Sequence, residues 1–187
     1  MKKPIHTPNT WIIAFALLMI ASSCSTVRLE KWTKDPNSNL SNYKTFSLYD
    51  VTTPNDIPME YMPRVEIVRS EMIKYMEHLG LKRVTENPDL LVNIGIVVEE
   101  KIQTRETDLR TDAPRYMGQR NYSWQSQEVE VGRYHQGTVT LDWVDRVASK
   151  MVYHFVLTSI MAKKSETTPK NIEAGTKLIS KKLGIKE

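Results

Sequence analysis

The sequence predicts an α+β fold: an antiparallel β-sheet with two helices packed on one face. Three observations predict it. Strand-like alternation recurs in residues 43–50, again from Leu90, and twice between 128 and 161. Apolar residues at helical spacing occupy 63–79 and return after Pro169. The order is strand, helix, strands, helix, with the last long strands separated by a short reversal, which suits a sheet covered by helices rather than alternating βαβ units.

The 187 residues are a one-domain length. The first stretch reads as a leader, residues 1–23. Lys2, Lys3 and His6 form a positive opening, and "WIIAFALLMIA" is an unbroken apolar run ending at Ala21. A secretory apolar region is about 7–15 residues, whereas a spanning helix needs about 20. Cys24 follows Ala21, Ser22 and Ser23 and is the one cysteine of the chain. It has no disulfide partner within the chain. A catalytic thiol needs a folded, electropositive pocket and a base, whereas Cys24 stands between a leader and a polar tail. Small residues directly before a cysteine resemble the lipobox of bacterial lipoproteins, with Ala21 where leucine is commonest. That resemblance implies an acylated Cys24 as the first mature residue; the bland alternative is ordinary cleavage with a free thiol. Ser25 rather than aspartate after the cysteine resembles the sorting signal for the outer membrane. "STVRLE" lacks the acidic cluster that sends some lipoproteins to the cell surface, so the domain is expected to face the periplasm.

Residues 24–40 read as the lipidated cysteine and a polar tether, with one edge strand around Val27 and Leu29. Asp35-Pro36-Asn37 signals a turn. Residues 41–187 read as a single α+β domain. "YKTFSLYD" alternates and is rich in aromatic and β-branched residues, a strand. Val65, Val68, Met72, Met76 and Leu79 then form a helical stripe, with Pro63 suited to the first turn and Gly80 to the stop. Met72 and Met76 read as core, because soft metals want more converging sulfur ligands. After Asn87-Pro88-Asp89, Val92, Ile94, Ile96 and Val98 share one strand face. Residues 104–127 show no period and read as a long irregular loop. "GTVTLDWVD", the reversal "DRVASK" and "MVYHFVLTSIM" read as a hairpin. Ile172, Thr176, Ile179 and Leu183 give the last helix, stopped by Gly184, with Lys177, Lys181 and Lys182 toward its negative end.

The motifs "YKTF" at 43–46, "NPDLLV" at 87–92, "VEEK" at 98–101 and "GTVTLD" at 137–142 occur in order behind a cysteine-bearing leader. In this the chain resembles the lipoprotein family named domain of unknown function 4136, in a Bacteroidetes-like form. It departs after Asp145, where Tyr153 stands in place of a tryptophan. The resemblance implies a fold and a compartment, and no catalytic residues.

The formal charge is +4, of which Lys2 and Lys3 contribute +2, leaving +2 for the rest. That is too mild to point to nucleic acid. The sequence holds no metal-ligand spacing, nucleophile elbow or phosphate-binding glycine loop, so no cofactor or metal is expected. Asp142 and Asp145 are three apart on a strand or its end, so they read as a strand-face residue and a turn residue on opposite faces. His135 and His154 flank the hairpin without meeting; His154 is expected to pair near Leu141. The best binding candidates are Arg115, Tyr116, Arg120, Tyr122 and Trp124, aromatic planes mixed with cationic donors. They suit sugar rings, anionic head groups or a protein partner; the plainer reading is a mobile loop with Trp124 against the sheet edge. The expectation is a non-enzymatic envelope protein, bound to the membrane through its acyl chains and acting by binding or assembly with an envelope protein or glycan. The rivals are a periplasmic glycan- or lipid-binding module and an envelope hydrolase with an unrecognised site.

Overall fold

The computed structural model describes residues 27–49, 53, 57–108, 110–112, 125–161 and 167–185. Six strands form one sheet: β1 (Val27–Lys34), β2 (Thr45–Leu48), β3 (Lys82–Arg83), β4 (Leu90–Glu106), β5 (Glu128–Asp145) and β6 (Lys150–Met161). Their order across the sheet is β1-β6-β5-β4-β2-β3. Helix α1 (Met62–His78) follows β2, and helix α2 (Thr168–Leu183) follows β6. The helices pack against each other and on the sheet, as an α+β fold.

The sheet is mixed rather than wholly antiparallel. β1, β6, β5 and β4 are antiparallel neighbours, but β2 runs parallel to both β3 and β4. The helical stripe accounts for it. A strand followed by a crossing helix re-enters the sheet in the same direction, which is how parallel neighbours arise.

The β5–β6 hairpin reverses through residues 146–149, with Asp142 opposite His154 and Trp143 opposite Tyr153. β4 is longer than alternation indicates, and β5 runs unbroken from Glu128 to Asp145. They pair from Leu90 with Asp145 out to Glu106 with Glu128, with a bulge between Gln103 and Thr104. Residues 104–106, expected in the irregular loop, therefore belong to β4, and Gln127, at its other end, still accepts the Thr107 N–H at 2.8 Å. β6 accompanies β5 only as far as His135, so the outer part of β4 and β5 is a two-stranded arm. Its side chains are mostly exposed, Ile102 and Val131 among them. A strand wet on both faces carries no period-2 signal, which hid it. The polar segment before residue 41 contains β1, which is paired to β6 from Val27 with Ser159 to Lys34 with Tyr153.

The core lies between the sheet and the helices. Phe46, Val92, Ile94, Leu141, Trp143 and Phe155 meet Val65, Val68, Met72 and Met76 of α1 and Ile179 of α2. Met72 and Met76 are core, as their spacing predicted. Trp143 packs edge-on against Tyr153 and Phe155, at centroid distances of 5.3 and 5.6 Å. Across the helices Tyr75 Oη lies 2.9 Å from Ser180 Oγ, a buried hydrogen bond. Both helices end as read: Gly80 and Gly184 have φ of 85° and 75°, where a side chain would be strained.

Candidate functional site

An apolar pocket of about 120 Å³ lies between the sheet and the two helices. Its floor is Ile96 and Val98 of β4, Val139 and Leu141 of β5, and Leu157 of β6. Its roof is Val65, Val68 and Met72 of α1 with Ile172 and Ile179 of α2. The strand residues reach it because alternation sends them to the helix side. The helix residues do so because steps of three and four keep them on one stripe. Gly175 brings α2 down onto the sheet: a Cβ there would lie 3.0 Å from Leu157 Cδ2. A mid-helix glycine costs roughly 1 kcal/mol against alanine, and this close approach explains it.

Polar residues are a minority of the lining, Arg64, Ser159 and Asn171 among them. The Arg64 guanidinium lies over the Tyr61 ring at 5.2 Å, and burial raises the Tyr61 hydroxyl above its ordinary range. No histidine, cysteine or carboxylate is among the lining residues described. The arrangement suits a hydrocarbon group and supplies no acid, base or nucleophilic pair.

The far end of the sheet carries a polar depression, with Asp35, Tyr43, Asp89, Asp145 and Lys150. Each carboxylate there is engaged in holding the chain. Asp35 meets Lys150 Nζ at 2.8 Å, which lowers its pKa. Asp89 accepts the N–H groups of Lys44 and Thr45 at 2.8 and 2.9 Å. Those bonds, the Lys44 one first, hold its carboxyl below the usual range. Asp145 accepts the Tyr43 hydroxyl at 3.1 Å and caps the reversal through the N–H groups of Val147 and Ala148. Burial first, then Asp145, pushes Tyr43 up to about 12. The "NPD" and "YKT" motifs thus describe one structural joint.

Asp142 and His154 do meet, on the sheet face away from the helices. His154 Nδ1 lies 2.6 Å from Asp142 Oδ1, and the ring N–H donates to the carboxylate. Sequence reasoning set His154 near Leu141 and missed its union with Asp142; the hairpin register was the signal that would have found it. An Asp–His pair is part of many nucleophilic sites, but this one is outside both depressions. His135 points to the other side, 5.8 Å from the Tyr61 ring. His78 is exposed at the end of α1. Asp142 is therefore a strand-face residue and Asp145 a turn residue, as read. Among the described residues no cluster of three histidine, cysteine or carboxylate groups is placed to hold a metal ion. Cys24, Arg115, Tyr116, Arg120, Tyr122 and Trp124 lie outside the described residues. No helix among the described residues is long and apolar enough to cross a membrane.

A family model described as "Domain of unknown function (DUF4136)" matches residues 30–182. No curated protein matches the chain. Among solved structures, a PDZ domain protein from Parabacteroides distasonis is 10% identical, with a TM-score of 0.46, over 87% of this chain. The match covers 38% of that protein, so this chain spans well under half its length. The PelC dodecamer from Paraburkholderia phytofirmans is 9% identical, with a TM-score of 0.46, over 86% of this chain and 99% of that one. Protein XCC0632 from Xanthomonas campestris is 9% identical, with a TM-score of 0.39, over 81% of this chain and 86% of that one.

Proposed function

The chain belongs to the family described as Domain of unknown function (DUF4136), and from that premise we propose that it is a lipid-anchored envelope protein that works by binding or assembly rather than catalysis. Cys24 carries the acyl chains. The domain sits on the outer membrane facing the periplasm, a placement supported by the leader, the lipobox-like "ASSC" and Ser25.

The observation that carries the reading is the position of Val27. It opens an edge strand built into the sheet and lies in the core, three residues after Cys24. A lipid on Cys24 would hold the folded domain close to the bilayer, on a link of at most about 10 Å. Two or three acyl chains suffice for a lasting hold, where one does not.

A lipid-binding role is favoured over a glycan-binding one by the pocket. Its walls are mostly apolar, whereas sugar sites need several converging polar groups and aromatic planes. The hydrolase reading loses support from the separation of Asp142 and His154 from the pocket.

Membrane fractionation after labelling cells with palmitate tests the anchor. The intact protein is expected in the outer-membrane fraction with label, and Cys24→Ala is expected to lose the label. A Cys24→Ala protein that keeps the same label and fractionation would sink the reading.

A further inference from the structure

We propose that the pocket between the helices and the sheet is a seat for one hydrocarbon chain, and that the occupant is an acyl chain carried on Cys24 of the same molecule. The inference rests on the reading of Cys24 as the lipid attachment point.

The pocket has the right character. At about 120 Å³ it approaches the ~150 Å³ of an apolar cavity that stays dry and binds benzene. It takes the end of one chain, not a head group. Its floor and roof are aliphatic, and polar residues such as Arg64 and Asn171 are a minority of its lining.

Its location selects the source. Val27 at the start of β1, Met161 at the end of β6, Thr167 before α2 and Tyr61 before α1 all line it. These four ends lie at one edge of the fold, the edge from which the chain runs back to Cys24. The opposite edge carries the charged joint of Asp35, Asp89, Asp145 and Lys150. An anchor on Cys24 therefore turns the pocket, not the charged joint, toward the bilayer.

Reach favours the molecule's own lipid over a free one. Cys24 lies three residues before a pocket-lining residue, at most about 10 Å of extended chain. A tether that short gives its own acyl chain a high effective concentration at the pocket. Exchange of bilayer for pocket trades one apolar medium for another. The consequence is one chain fewer in the membrane, and so a weaker hold.

The test uses the full chain in membranes from cells fed a diazirine-bearing palmitate, irradiated and mapped by peptide mass spectrometry. The expected result is a link within one molecule from the Cys24 lipid to peptides holding Val68 and Met72 or Ile172 and Gly175. Val139→Phe, which fills the pocket, is expected to abolish that link while the far-ultraviolet circular dichroism stays unchanged. Thr168→Trp, at the half-exposed mouth, serves the same end if Val139→Phe does not fold. If Cys24 carries the probe and the pocket peptides stay unlabelled, the inference is wrong and the anchor reading stands. If Cys24 carries no probe, both fall. Equal labelling of the pocket in Cys24→Ala would make the occupant a free fatty acid, and links between two copies would make it a neighbour's lipid. Either result overturns the assignment to the molecule's own chain.

Discussion

Asp89 and Thr45 hold each other through reciprocal hydrogen bonds: the Thr45 N–H donates to Asp89 Oδ2, and the Asp89 N–H donates to Thr45 Oγ1, both at 2.9 Å. The same carboxylate oxygen takes the Lys44 N–H at 2.8 Å. The joint aligns the starts of β2 and β4, which run side by side in parallel. Hydrogen bonds to a charged group contribute about 1.5–3 kcal/mol. Asp89→Ala is expected to lower the unfolding free energy by an amount in that range, read as a lower urea midpoint with little change in slope. A wild-type midpoint would remove Asp89 from this role.

The same bonds set a pH dependence. The Lys44 and Thr45 N–H groups hold the folded Asp89 below its ordinary range. A depressed folded pKa contributes stability above the unfolded value of about 3.9, and that stability is lost as pH falls further. The stability difference between the natural protein and Asp89→Asn should therefore be constant near neutrality and shrink below about pH 4. Denaturant melts at a series of acid pH values measure it; a gap that persists to the lowest pH would contradict it.

Tyr43 gives the opposite sign. Burial and the bond to Asp145 raise its hydroxyl to about 12. The neutral form is favoured when folded, so its contribution is present below the unfolded value of about 10 and lost as pH rises past it. The ultraviolet titration difference between the natural protein and Tyr43→Phe should be centred near 12. A difference centred near 10 would show that the phenol is not held as described.

Tyr75 and Ser180 couple the helices through a buried bond of 2.9 Å. A double-mutant cycle of Tyr75→Phe and Ser180→Ala should return a coupling of about 0.5–1.5 kcal/mol. Strict additivity of the two single effects would refute the coupling.

Trp143 is fully buried between Tyr153 and Phe155. Trp143→Ala is expected to cost about 3–5 kcal/mol. Its indole N–H has no hydrogen-bond partner among the described residues. Trp143→Phe removes that unsatisfied donor with less volume and should be the milder change by thermal melting.

Particular residues show how far local pattern carries. The stripe Val65, Val68, Met72, Met76 reads as a buried helix face because helical spacing is local, and it is one. Gly80 and Gly184 read as stops because positive φ is a property of single residues, and both have it. Thr104, Arg105 and Glu106 read as loop because exposure on both faces erases alternation, although β5 extends β4 through them. His154 read as pairing near Leu141, one residue from its partner Asp142, because the exact hairpin register decides which residues face each other. The candidate Arg115, Tyr116, Arg120, Tyr122 and Trp124 surface stays a matter of sequence alone.

By itself the sequence determined both helices, their stops and the apolar face of the inner strands, since each depends on neighbours a few residues away. Only the tertiary structure decided that β2 pairs in parallel, that Asp89 ties it to β4, that Asp142 meets His154, and that the sheet and both helices leave an apolar pocket at the end where β1 begins. Those results depend on which distant segments close on one another. That is a balance of loop entropy, register and packing that no local period encodes.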